Sequence, residues 1–262
     1  MHDLELIRSV LAGAIAGLAS GFLGVSPGGI LVPVISLLLP FSQHMAQAVS
    51  LVAQAPPTSL AGISAYSRRG RKIDRITVVI VSVGFIVGGP MGAAVAKGCS
   101  EYHLRWGFVG YLLVLTALAI RRTSDAKKAS TDTRIATVGR PVAALVAIGV
   151  TAGFSSGFLG IGGGLAITAL SVLLLHKEQH EAQALSLAIS ALPLTLPAAW
   201  VYSHEGVRLP WPMIGALIAG LALGTWIGSQ FANLLSEKKL KTAFVMLLIA
   251  MASYMAIIAS RS

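Results

Sequence analysis

The chain has 262 residues, 55% of them apolar and only 11% charged, with a mean hydropathy of +0.78. A soluble domain carries about 25% charged residues, so a water-soluble enzyme of this size is excluded and an integral membrane protein is indicated. The net charge of +10 would suit nucleic acid, but its meaning depends on where the basic residues lie; the single cysteine, Cys99, leaves no intramolecular disulfide and no cysteine-built metal site. No cofactor is expected.

Every charged side chain falls in a polar segment or at the edge of an apolar one. Taken in chain order, an apolar run over 6–40 is interrupted by glycine, and full crossings of about 20 residues are predicted near 46–66, 76–96 and 104–120. A second interrupted run over 141–175 follows, and then crossings near 183–202, 212–232 and 242–260. The first run is not a cleaved signal peptide: its leading segment carries Asp3 and Glu5 with Arg8, and the same pattern recurs inside the chain.

The recurrence is an internal repeat at an offset of 136 residues. It sets Gly21-Phe22-Leu23-Gly24 on Gly157-Phe158-Leu159-Gly160, Gln43-His44 on Gln179-His180, Ala46-Gln47-Ala48 on Ala182-Gln183-Ala184, and Tyr66-Ser67 on Tyr202-Ser203. The domain plan is therefore two homologous halves, 1–121 and 140–262, joined by a polar cytoplasmic linker, Arg122–Gly139. Glycines spaced by four (Gly13, Gly17, Gly21; Gly84, Gly88, Gly92; and their partners at +136) suit close helix packing.

Lys and Arg orient the halves, because short cytoplasmic loops carry the excess. Loop 67–75 holds five basic residues and is placed inside, whereas its counterpart 203–210 has Arg208 beside Glu205 and is placed outside. The repeats are thus inverted. The fold expected is an all-α polytopic membrane protein of two inverted-topology repeats, each a glycine-broken hairpin plus three transmembrane helices. Both termini fall on the outer side.

At the hairpin tips the sequence reads Gly24-Val25-Ser26-Pro27-Gly28-Gly29 and Gly160-Ile161-Gly162-Gly163-Gly164. The arms that follow, 30–40 and 165–175, span half a bilayer at roughly 16 Å, which puts the tips near the midplane with helix N-termini aimed inward. Free N–H groups and the positive dipole end there favour an anion, and half-helices meeting at the midplane are the usual binding site of a secondary transporter. The bland alternative is that the glycines only permit a turn. Neither tip ends in the Gly-Lys-Ser/Thr of a P-loop.

The helix after each tip carries a polar stripe, Gln47, Ser50, Gln54 and Thr58, repeated as Gln183, Ser186 and Ser190. Neutral amides and hydroxyls bind an oxyanion without placing fixed charge in hydrocarbon; their plain alternative role is hydrogen bonding between helices. Pro56-Pro57, and Pro193 with Pro197, should break these helices beside the stripe. The candidate anion-binding set is Ser26, Gly28, Gly29, Gln47, Ser50, Gln54, Ser155, Ser156, Gly162, Gly163, Gly164, Gln183, Ser186 and Ser190. His44 and His180, at the entrances of these helices, are candidates for proton coupling and equally ordinary interfacial residues. No catalytic group is expected, because the spans hold no Asp or Glu.

The paired tips, the Gln-Ala-x-Ser-Leu stripes and the two-half plan resemble the TauE/SafE family of sulfite exporters over nearly the whole chain, the first tip reading Ser26-Pro27-Gly28-Gly29 where a triple glycine is usual. The resemblance implies transport of sulfite, sulfoacetate or a related organosulfonate across a bacterial inner membrane. Export is the direction it implies, and residues alone give only a small anion. The partners expected are that anion and the lipid bilayer, not nucleic acid, and a homo-oligomer is left open. Uptake of the same anions and a non-transporting membrane subunit stay open.

Overall fold

The computed structural model describes residues 2–23, 26–56, 74–125, 142–175, 179–203, 209–232 and 237–260, which form eleven helices and, among the described residues, no strand. In order these are α1 His2–Leu23, α2 Gly28–Leu38, α3 Gln43–Ala53, α4 Arg75–Lys97, α5 Glu101–Asp125, α6 Val142–Leu159, α7 Gly164–Leu175, α8 Gln179–Ser190, α9 Leu196–Ser203, α10 Trp211–Ala232 and α11 Glu237–Ser260. Pro57, Thr58, most of the basic loop 67–75 and the chain over 126–141 lie outside the described residues. The segment expected as linker from Arg122 starts as helix, since α5 continues to Asp125.

Four helices are long and apolar enough to cross a membrane, α1, α4, α6 and α10. With α5 and α11, at 25 and 24 residues, the chain is a multi-pass helical membrane protein. Rows of exposed apolar side chains, such as Val79, Val83, Ile86, Val87 and Met91 on α4, face outward where hydrocarbon would meet them.

The two interrupted runs are each a long helix, a turn and a short helix: α1 and α2 with 22 and 11 residues, α6 and α7 with 18 and 12. The crossing expected over 183–202 is two pieces. Helix α8 ends at Ser190, the chain turns through Ala191–Thr195, and α9 resumes at Leu196. Pro193 and Pro197 remove two N–H donors from this stretch, which is why it does not close into one helix. Thr195 restores part of the bonding by donating to the Leu51 carbonyl of α3 at 2.8 Å.

The glycine ladders bring backbone against backbone. A Cβ on Gly13, Gly17 or Gly21 of α1 would strike the carbonyl of Leu217, Leu221 or Thr225 of α10, and one on Gly149, Gly153 or Gly157 of α6 would strike that of Val81, Phe85 or Gly89 of α4. Each partner pair is the other displaced by 136 residues with the halves exchanged. Both series advance by four residues on both helices, so α1 runs parallel to α10 and α4 parallel to α6. At such separations van der Waals contact supplies the attraction that lipid cannot.

Helix α4 starts with Asp74 as cap: its Oδ1 accepts from the Ile76 N–H at 3.2 Å and its Oδ2 from the Thr77 hydroxyl at 2.6 Å. Asp74→Ala is expected to cost about 1 kcal/mol, measurable as a lowered melting temperature of the detergent-solubilised protein.

Candidate functional site

Helix α3 is buried along nearly its whole length, including Gln43, Gln47 and Ser50, with Gln54 just past its end. Its N-terminus is fixed by Ser42, whose hydroxyl accepts from the Met45 N–H. The spacing of 43, 47, 50 and 54 puts these polar groups on one face, and that face lies on the second tip. Ser50 Oγ donates to the Gly160 carbonyl at 2.8 Å. Gln54 Nε2 donates to Ser50 O at 3.0 Å, to Ser50 Oγ at 2.8 Å and to Gly160 O at 3.3 Å.

The second tip is built on left-handed glycines: Gly160, Gly162 and Gly163 have φ of +73°, +72° and +68°. An L side chain is strained in that region. Space forbids one as well, since a Cβ on Gly160 would lie 2.7 Å from Gln47 Cα, one on Gly162 would collide with Gln54 Oε1, and one on Gly163 with the Phe85 ring.

The first tip makes its turn differently. Pro27 stands where the second tip has Gly163 and holds φ at −66°, closing the first turn of α2 by accepting from the N–H groups of Ile30 and Leu31. The two tips touch. A Cβ on Gly28 would strike the Ile161 carbonyl and Gln54 Oε1, one on Gly29 would meet Leu165, and one on Gly164 would lie 2.6 Å from Ser26 Cβ. The Gln54 carboxamide therefore sits between Gly28 and Gly162, at the meeting point of the helices α2 and α7.

The second half contributes Ser186, whose hydroxyl donates to the Gly164 carbonyl at 2.7 Å, and Ser190, whose buried Oγ has no hydrogen-bond partner. The side chains of Gln183 and His180 lie outside the described ones. Ser155 is turned away, its hydroxyl donating to the Thr151 carbonyl of its own helix at 2.6 Å. Ser156 points inward, fully buried, with an unpartnered Oγ. His44 Nε2 lies 3.1 Å from the Ala96 carbonyl, and its ring is 6.5 Å from that of Tyr202. Tyr202, which the sequence pattern had not marked as a site residue, is buried with its hydroxyl 2.9 Å from both Gln47 Oε1 and Gly157 O. Its occurrence at the repeat offset from Tyr66 was the available signal.

Among the described residues no group of three or more His, Cys, Asp or Glu is placed to hold a metal. The polar groups at the tips are amides, hydroxyls and backbone, beside the Phe85 ring and Leu165; the ion pair of Glu101 with Arg105 at 2.9 Å belongs to the first turns of α5.

The sulfite exporter TauE/SafE family model matches residues 9–255. The chain belongs to the TauE/SafE family. It is accordingly a membrane transporter and not an enzyme. It is also 28% identical over 240 residues, 89% of this chain and 93% of the relative, to the probable membrane transporter protein YdhB of Bacillus subtilis (strain 168). No solved structure matches it.

Proposed function

We propose that this TauE/SafE transporter moves small sulfur-containing anions, sulfite, sulfoacetate or a related organosulfonate, outward across a bacterial inner membrane, holding the anion near the midplane between its two glycine-rich tips. The observation that carries the reading is the meeting of the tips: the first turns of α2 and α7, at Gly28 and Gly164, converge on one region lined by neutral donors. Helix N-termini favour an anion there, and uncharged donors release it more readily than a buried cation would. Substrate class and export follow the family name. Uptake would use the same site.

An inverted plan with divisions at 1–121, 122–139 and 140–262 is supported by helix directions. His44 at the start of α3 bonds to Ala96 near the end of α4, so α2, joined to α3 by a short link, ends on the side where α4 ends. Helix α1, doubling back as α2, starts on that same side and runs opposite to α4. Because α6 runs parallel to α4, α6 runs opposite to α1 although it is its repeat. The excess of Lys and Arg in the adjoining segments supports cytoplasmic starts for α4, α6 and α11 and periplasmic termini.

Liposomes containing purified protein and loaded with sulfite, sulfoacetate or isethionate are expected to lose at least one of these faster than protein-free vesicles. A panel with no accelerated efflux overturns the reading. Gln47→Leu is expected to lower that flux about tenfold, the size of one lost charge-assisted hydrogen bond, without lowering membrane insertion. Loss of flux in vesicles clamped at zero proton gradient would assign coupling to protons, with His44 and His180 as the groups to vary.

A further inference from the structure

Gln47 has one half of its amide held and the other half free. Its side chain is 0% exposed; Oε1 meets the Tyr202 hydroxyl, and Nε2, equally buried, has no partner. An amide NH2 left without an acceptor in a buried site costs several times what a surface one does. One helix away, Ser156 repeats the situation: 0% exposed, Oγ unpartnered. The two residues flank the same turn. The Ser156 carbonyl accepts from the Gly160 N–H at 2.7 Å, the Gly160 Cα faces Gln47 so closely that a Cβ there would lie 2.7 Å from Gln47 Cα, and the Tyr202 hydroxyl ties Gln47 to Gly157, the residue after Ser156.

From this we infer that Gln47 Nε2 and Ser156 Oγ form a subsite for one oxygen of the transported oxyanion, and that Tyr202 is the positioning residue that turns the Gln47 amide so that its NH2 faces the anion. Two neutral donors without an acceptor match an oxygen that only accepts. The phenol is suited to its part because its proton lies between two acceptors, the Gln47 carbonyl oxygen and a main-chain carbonyl at the end of α6, where the helix supplies no N–H of its own. The subsite joins the halves, with Gln47 from the first and Tyr202 and Ser156 from the second. The sequence repeats all its members at the 136-residue offset, as Gln183, Tyr66 and Ser20, with Gly21 for Gly157. Residues retained in both halves through the divergence of their surroundings are those the arrangement needs. The inference rests on the transport reading above.

The test is the concentration dependence of isethionate flux in proteoliposomes for the wild-type chain, Y202F, S156A, Q47E, Q47L and the double variant Y202F/Q47L. Y202F is expected to raise KM on the order of tenfold with a smaller change in maximal rate, S156A to do likewise, and Q47E, which puts a charged acceptor where the donor stood, to reduce flux to background. In the Q47L background, Y202F should add nothing, because a residue acting only through Gln47 has no further effect once Gln47 is gone. A merely structural role for Tyr202 would lower both backgrounds alike. An unchanged KM in Y202F, an additive double variant or full flux in Q47E overturns the subsite while leaving the transporter standing. Absence of wild-type flux for the whole panel of anions overturns the transport reading, and the subsite with it.

Discussion

Gly157→Val is expected to yield no folded protein: expression as a fluorescent fusion should give aggregate in size-exclusion chromatography where the wild-type chain gives a single peak. A Cβ at this position would overlap the Gly89 carbonyl and lie 2.8 Å from the Ala93 nitrogen, and these are backbone atoms that no rotamer change removes. Over-packing a side-chain core typically costs ~1–3 kcal/mol; forcing apart two helices that approach through their main chains costs more, because the whole α4–α6 interface must open. The same applies to Gly21 against Thr225 in the exchanged interface. Two glycines provide the control. Gly110 and Gly215 have nothing within 4 Å of the added Cβ, so Gly110→Ala and Gly215→Ala should leave the peak unchanged and favour the helix by up to about 1 kcal/mol each.

That contrast shows what the sequence could tell and what it could not. The four-residue spacing marked Gly13, Gly17 and Gly21 as packing positions, because small residues at that interval lie on one helix face. It could not name the helix opposite, since α1 meets α10, two hundred residues away, and nothing local encodes the pairing. The broken course of α8 and α9 was legible in Pro193 and Pro197 for a local reason, the missing N–H donors. The stripe Gln47, Ser50 and Gln54 was legible as a helical face, and the structure brings all three to the second tip. Tyr202 was not, because a tyrosine near the end of a span reads as an interfacial anchor until its hydroxyl is seen 2.9 Å from Gln47. Ser155 and Ser156, adjacent and indistinguishable by type, part company in three dimensions: a hundred degrees of helix turn sends one hydroxyl to its own backbone and leaves the other buried without a partner.

The tips divide in the same way. The departure at the first tip was visible in the sequence, where Ser26 and Pro27 occupy the places of Gly162 and Gly163, and only the second tip uses left-handed glycines among the described residues. A proline confines φ to the region near −65°, so the first tip cannot copy the second. The halves therefore bind each other as unlike partners: Ser50 bonds across to Gly160 of the opposite tip, while Ser186, its repeat, bonds to Gly164 of its own.

Gly162→Ala is where this asymmetry has its largest effect on transport, and flux in that variant is expected to fall at least a hundredfold with normal amounts of folded protein in the membrane. Two causes act together. The residue has φ of +72°, where an alanine is strained by roughly 1–2 kcal/mol, and its Cβ would take the place of Gln54 Oε1, so the carboxamide between the tips must leave. Displaced, Gln54 loses its bonds to Ser50 and Gly160, each worth about 1 kcal/mol net, and of these two side-chain donors to the Gly160 carbonyl the Ser50 hydroxyl alone stays. The equivalent change in the first tip, Ser26→Ala, removes one hydroxyl from a residue that already has a Cβ, and should lower flux by no more than a few fold. Measuring both in one proteoliposome series separates backbone geometry from side-chain chemistry: similar losses in the two variants would mean that the left-handed turn and the Gln54 carboxamide beside it do not govern transport.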